Sequence, residues 1–182
     1  MNPITYSLCH KPVIGMVMFI TSLCAFPPLF SHIPIALDKA GAIAYSSFSV
    51  PVTKKYVLEI DFEFPNKEAK SKDEIVGDRY NENCRGNIKY QDIPEKERIG
   101  LGKPILFRVI IRNQKNNAVI TDKVFESLCV ISGFKNEKTR TIGWLDLTEG
   151  KYSAEVINLD AQKNLEGVKT SIILNSGHGK QI

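Results

Sequence analysis

Few residues in this chain of 182 could do chemistry. The three histidines, His10, His32 and His178, are scattered, whereas a Ser/His/Asp or Cys/His nucleophile needs a histidine held by the fold beside it. His178 sits in Gly177-His178-Gly179-Lys180 near the end of the sequence, and one histidine cannot close a zinc site; no metal site is expected. Glu59 and Asp61 alternate along one segment and so share a strand face. That geometry could serve glycoside chemistry, but acids at alternate strand positions are the usual mark of a solvent face and are read so here. Gly100-Leu101-Gly102-Lys103 lacks the spacing of a phosphate-binding loop, and Pro104 removes an amide that such a cradle would use. The expectation is no catalytic residue, no cofactor and no enzyme.

Two other groups of residues carry information. Of the four cysteines, Cys9 and Cys24 lie in the apolar N-terminal part, which leaves Cys84 and Cys129 as a disulfide candidate in an exported domain. A loop of that length, closed by a bond, would contribute on the order of 4 kcal/mol in the chain-entropy picture; two separate thiols are the other reading. Arg79, Tyr80, Arg85, Lys89 and Tyr90 interleave basic and aromatic side chains in one polar stretch, a composition typical of protein interfaces. They are the partner-contact candidates.

The elements that must position these residues follow from periodicity. In Tyr56 to Phe64, Tyr56, Leu58, Ile60, Phe62 and Phe64 alternate with Val57, Glu59, Asp61 and Glu63, which is the two-residue period of a half-buried strand. Ile105 to Asn113 repeats it, and the polar run Asn113 to Asn117 separates that strand from Ala118 to Ser127 as a hairpin turn would. Ala44–Val50, Arg140–Leu147, Lys151–Leu159 and Val168–Leu174 complete about seven strands. Short strands divided by turn signals predict an all-β fold, an immunoglobulin-like antiparallel β-sandwich. Gly150 and Tyr152 sit where a tyrosine corner would form, with a simple buried tyrosine as the competing reading. Trp144 is assigned to the core ahead of a stacking role on the surface. Between Pro65 and Lys103 the alternation lapses, and the one element expected in this long connection after the second strand is a short helix over Lys67 to Val76, ended near Gly77. Long ordered connections are often functional, which makes this one the leading candidate for partner contact.

Pro12 to Ser31 carries no charge and follows Lys11, the layout of a signal peptide or N-terminal membrane anchor. Pro27-Pro28 cuts the apolar helix short of the roughly 20 residues that a span needs. The domain plan is therefore 1–31 as signal or anchor and 32–182 as a single β-sandwich domain. The formal net charge of +4 is mild and its charges are interspersed, which argues against nucleic acid as a partner. Membrane contact is expected only through the N-terminal segment.

Four stretches resemble one family. They are Ile35 to Phe64, Asp73 to Asp78 ahead of Gly102 to Ile111, and Leu147 to Leu174, within which the Gly150-Lys151-Tyr152 turn followed by Asn158 to Ile172 is the most specific. In them the chain resembles the bacterial exported domains known as domain of unknown function 5625. The resemblance implies a secreted or lipid-anchored β-sandwich with no established catalytic residues to carry over. Members are commonly lipoproteins, and Leu23 before Cys24 departs from the small residue that lipid attachment prefers. The functional expectation is an exported, non-catalytic binding protein of the periplasm or cell envelope with a protein partner, an immunity-type inhibitor of a toxin or hydrolase being one form. The alternative is a structural or glycan- or lipid-binding envelope module.

Overall fold

The computed structural model describes residues 27–78 and 89–176. Among these residues nine strands form two antiparallel sheets. They are β1 (Phe30–Pro34), β2 (Ile43–Val50), β3 (Lys54–Glu63), β4 (Ile105–Asn113), β5 (Val119–Ser127), β6 (Val130–Phe134), β7 (Glu137–Leu147), β8 (Gly150–Asn158) and β9 (Lys169–Asn175). The first sheet runs β1-β9-β3-β7-β6 and the second β2-β8-β4-β5. The all-β sandwich expected from periodicity is the fold, with two strands more than the seven expected.

Four strands match the immunoglobulin plan, in which B pairs E in one sheet and C pairs F in the other. Here β3 pairs β7 and β4 pairs β8. The flanking strands are exchanged: β2 joins β8, and β9 joins β3. Tyr56, Leu58, Ile60 and Phe62 of β3 face Phe107, Val109, Ile111, Ala154 and Val156 in one continuous core. At the β7–β8 turn, the Tyr152 hydroxyl donates to the Thr148 carbonyl at 3.1 Å, the bond that defines a tyrosine corner. Gly150 opens the strand there, and a Cβ on it would lie 3.2 Å from the Tyr152 ring.

The connections are sorted by end. Among the described residues, one end of the sandwich carries the short turns 51–53, 114–118 and 148–149, together with the start of β1 and the end of β9. Asn117 takes a left-handed φ of 55° in the hairpin turn, a conformation that asparagine tolerates. All the longer connections leave from the other end: 35–42, 64–104 and 159–168, with the 135–136 turn beside them.

The 64–104 connection has less helix than expected. A single turn, α1 (Lys67–Ser71), is capped by Asn66, whose side chain accepts from the Ala69 amide at 2.8 Å. It stops at Ser71 instead of continuing to Val76 because the next residues are used differently. The Asp73 carboxylate accepts from the amides of Ile75 and Val76, each at 3.1 Å, which turns the chain into the sandwich.

What receives it is a pair of cations on the interior face of β7. Lys138 is 2% exposed and Arg140 is 0%. Lys138 Nζ donates to Asp73 Oδ2 at 2.9 Å, meets Asp78 Oδ1 at 2.7 Å, and lies 5.5 Å from the centre of the Phe64 ring. Arg140 donates to three backbone carbonyls: Ile75 at 3.3 Å, Lys103 at 3.0 Å, and Ser127. Burial pushes the guanidinium pKa down to about 9, and Asp73 partly counters it. One side chain thus joins both ends of the long connection to the β5 terminus. Arg140→Met keeps the apolar stem and removes every donor. It is expected to lower the unfolding free energy by about 3 kcal/mol, through stranded carbonyls, and to speed amide exchange at Lys103, whose N–H donates to Ile75 at 2.8 Å. Denaturant unfolding and hydrogen exchange measure both; an unchanged midpoint would show that the guanidinium carries no weight.

Candidate functional site

The loop end of the sandwich is the candidate site. Its three long connections are each fixed to the framework by buried polar contacts. Asn158, 0% exposed, donates from its side-chain amide to the carbonyls of Leu37 at 3.2 Å and Lys39 at 2.9 Å. Its backbone exchanges bonds with Gly41 and Ala42. These contacts hold 35–42, and the Gln162 amide donates to the Leu37 carbonyl at 2.7 Å, which couples 159–168 to it. Between these two connections lies an open cleft of about 720 Å³, walled by Ile35, Leu37, Leu165 and Val168 with Asp38 and Glu166 at its rim. A second hollow of about 200 Å³ separates Glu166 and Val168 from Asp73, Ile75 and Lys103.

The far half of 64–104 is held by a small second core. Ile93, Leu128 and Cys129 are buried there, with Tyr90 and Leu101 packed against them. Tyr90 donates its amide to Glu126 Oε2 at 2.7 Å and stacks under Arg98, whose guanidinium lies 4.9 Å from the ring centre. Arg98 also donates from Nε to the Ile93 carbonyl at 2.7 Å and from Nη2 to Gln91 at 3.1 Å. A β-turn follows, Leu101 N–H to Arg98 C=O at 3.0 Å, with Gly100 at φ 81°. Positive φ at the third turn position is the requirement of a type II turn and is met by glycine. Gly77 pairs with Leu101 as an isolated bridge. Gly102 lies so close to Val76 that a Cβ would overlap its carbonyl. The stretch Gly100 to Lys103 is a crossing point of two backbones, and both glycines serve that approach. The turn presents Ile99 at 71% exposure.

The residues expected at a partner interface divide accordingly. Lys89 is exposed. Tyr90 is partly buried and anchors the connection, which is a structural role as well as a surface one. Arg79, Tyr80, Arg85 and Cys84 lie outside the described residues. Cys129 is 4% exposed and disulfide-bonded, and its partner lies outside the described residues too.

Two side chains sit otherwise than expected. Glu59 was assigned to a solvent face and is only 8% exposed. It lies on the outer face of β3 beside Asp61, in the middle strand of a five-stranded sheet, where neighbouring strands crowd both flanks. Asn175 donates to it, and Asp61 accepts from Thr139 Oγ1 at 2.6 Å. Trp144 was assigned to the core and instead is partly exposed on this same outer face, cross-strand from Val57. The cause is a bulge. Between Leu58 and Glu59 the register with β7 slips by one, so Thr141 pairs Glu59 while Gly143 pairs Leu58. The extra residue shifts the phase of the strand, so the interior face runs Lys138, Arg140, Ile142 and then Leu145, Leu147. Gly143 permits it, since a Cβ there would overlap the Phe125 ring.

Burial raises the Glu59 pKa to about 7, against the opposing Asn175 hydrogen bond, with Asp61 adding to the rise. A carboxyl with a folded pKa above its unfolded one binds more protons when folded, so stability falls as pH rises through the interval between them. From pH 5 to pH 8 this group should cost the folded state roughly 3 kcal/mol. Glu59→Gln should be the more stable form at pH 8 and flatten the dependence; denaturant titrations at both pH values test it, and parallel slopes for the two proteins would refute it.

A solved structure at 22% identity agrees with the fold. A protein of Sulfurospirillum deleyianum solved by crystallography superposes with a TM-score of 0.62 at 22% identity, over 83% of this chain and 98% of that one. A 4-O-methyl-α-glucuronidase with specificity for decorated arabinogalactans matches at a TM-score of 0.38 and 12% identity, over 83% of this chain and 18% of its own length. No curated protein matches the sequence. Residues 32–176 match the family model of domain of unknown function DUF5625, and the chain belongs to that family.

Proposed function

We propose that this chain is an exported, non-catalytic binding protein of the bacterial envelope that recognises a protein partner with the loop end of its sandwich. One observation carries the reading: the exposed turn at Ile99 is immobilised from every side. Arg98 fixes its first residue through two backbone bonds and an aromatic ring, the Gly77–Leu101 bridge fixes its last, and Arg140 fixes the strand entry at Lys103. An exposed apolar side chain carried on an anchored backbone turn leaves less chain freedom to be lost on binding. It suits insertion into an apolar pocket of a partner, the way an immunity-type inhibitor of a toxin or hydrolase blocks a cleft.

Placement of the chain ends supports the same reading. Residue 27 and the β1 start lie at the short-turn end. A signal or anchor ahead of β1 would therefore leave the long connections on the side away from the membrane. The proposed localisation is the periplasm or envelope, and the proposed partner of Cys129 is Cys84, which would lock the far half of 64–104 in that exporting compartment.

A photo-crosslinking residue in place of Ile99 or Lys89, in cells making the full chain, should give the same discrete protein adduct. At Lys115 or Asn116, in the hairpin turn of the other end, it should give none. Adducts from the hairpin turn alone, or from both ends alike, would overturn the assignment.

A second reading draws on Trp144. A partly exposed tryptophan on a sheet face can stack on a sugar ring, as a glycan- or lipid-binding envelope module would need. It is the only tryptophan of the chain, so its fluorescence reports that face alone. A shift in emission on adding soluble cell-wall glycan, absent in Glu59→Gln controls carried through the same titration only if Glu59 takes part, would favour the module; no shift with glycan or lipid vesicles would remove it.

A further inference from the structure

The outer face of the four-stranded sheet breaks the usual pattern. An antiparallel sheet with one face on the core shows polar side chains to water on the other. Of the eight large hydrophobic side chains exposed among the described residues, five belong to the two edge strands of this sheet: Ile43 and Tyr45 on β2, and Val119, Ile120 and Val124 on β5. Ile43, Tyr45 and Val124 are each more than half exposed, at 57%, 58% and 58%.

The pairing register arranges them in rows across the sheet. One row reads Ile43, Ile157, Arg108, Val124, and the next reads Tyr45, Glu155, Ile110, Asp122. Apolar groups thus stand at both edges, and the charges between them are already matched. Arg108 holds Asp122 through two bonds of 2.7 Å, and Arg112 lies 3.8 Å from Glu155. Counted with the following row, Ser47, Ser153, Arg112, Val119, two arginines and two acids leave these three rows with no net charge. A surface must tolerate its own charges to bind itself, since a two-fold interface brings the same patch from each copy together. Neutral rows satisfy that requirement, whereas a patch evolved for an acidic or basic partner would carry the opposite excess.

We infer that a second copy of this chain docks here, face to face, about a two-fold axis running along the strands. That axis lays β2 of one copy over β5 of the other at the same height. Ile43 then meets Val124, and Tyr45 reaches over Asp122 with its hydroxyl, while the central ion pairs stay intact. Four strands spaced about 4.8 Å apart and eight residues long at about 3.4 Å each give a face of ~500 Å² per copy, or ~1,000 Å² in total, at the lower bound for a specific interface. The dimer is therefore a weak, reversible one. It leaves the loop end of both copies open, because the face lies along the strands and not at their ends.

Two chains that each gain one cysteine, Ile43→Cys and Val124→Cys, test the arrangement when produced together at full length and treated in cells with a short bismaleimide, the native cysteines being controlled for by the parent chain. Packed sheets lie about 10 Å apart, within reach of such a reagent, while positions 43 and 124 of one copy are separated by three strand spacings, about 14 Å. The expected result is a covalent dimer several-fold above either chain alone, above the parent chain, and above a pair with cysteine at Phe134 on the other sheet. Val124→Glu in a separate experiment should abolish sedimentation of the purified full chain as a dimer while leaving its thermal unfolding unchanged, since residue 124 is exposed. No excess of the mixed adduct, an adduct between two copies of position 43, or a dimer that survives Val124→Glu would each overturn the proposal.

Discussion

A guanidinium with no exposed surface, Arg140, is the contact on which the form of this molecule depends. Three carbonyls from segments far apart in sequence, at Ile75, Lys103 and Ser127, converge on it. Among the described residues its Nε finds no acceptor. Burying such a charge is expensive, and an apolar residue would serve a plain sandwich core at less cost. The arrangement makes sense because a long polar connection brings its own unsatisfied carbonyls to the end of the sandwich. A cation with a planar fan of donors satisfies several of them at once. Lys138, two residues away on the same face, takes the carboxylates of Asp73 and Asp78 in the same way. What would be a loose insertion is thereby made part of the domain.

The same residues mark where sequence reasoning ran out. Strands with clean alternation, such as Tyr56 to Phe64 and Ile105 to Asn113, were legible because burial and hydrophobicity coincide along them. β7 was legible only from Arg140 to Leu147, because its interior positions at 138 and 140 are charged and the apolar pattern begins only at Ile142. Extending the face of Ile142 backwards by twos would have put Arg140 and Lys138 inside, and Gly143 was the cue to a bulge that carries Trp144 outward. β1 and β6 escaped for other reasons. β1 begins at Phe30, within the segment 1–31 set apart as signal or anchor, and includes His32 at φ 55°. β6 is five residues long, contains Gly133, and shows little alternation. Position in the sheet also cannot be seen from one strand: Glu59 alternates like a surface acid, and only the presence of β7 and β9 on either side buries it.

The described parts of the 64–104 connection, 64–78 and 89–104, were legible as irregular and polar, yet not as anchored to the sandwich. Polar composition usually signals freedom, since few apolar contacts are available to offset the entropy of ordering. Here the ordering comes from local devices: the Asn66 cap, the Asp73 turn, the Arg98 bonds, and the glycine crossing at 77 and 102. Each is a single residue type at one place and has no period to detect. Only Gly100-Leu101-Gly102-Lys103 stood out; its spacing argues against a phosphate cradle, and Gly102 serves a close backbone approach.

Rigid loops at one end and a neutral, apolar-edged face along one side are independent features of the same scaffold, and each follows from topology. The long crossings all leave from one end of the sandwich, and the short turns 51–53, 114–118 and 148–149 lie at the other. The exchange of β2 and β9 relative to the immunoglobulin plan sets the first at the free edge of the four-stranded sheet, opposite β5. Both edges of that sheet are then exposed strands with large apolar side chains, a state that soluble domains avoid unless something covers them. Two copies joined along this face would hold two Ile99 turns at a fixed spacing, both directed away from the chain starts. A weak contact for each turn would then suffice, because the second binding event becomes intramolecular once the first has formed.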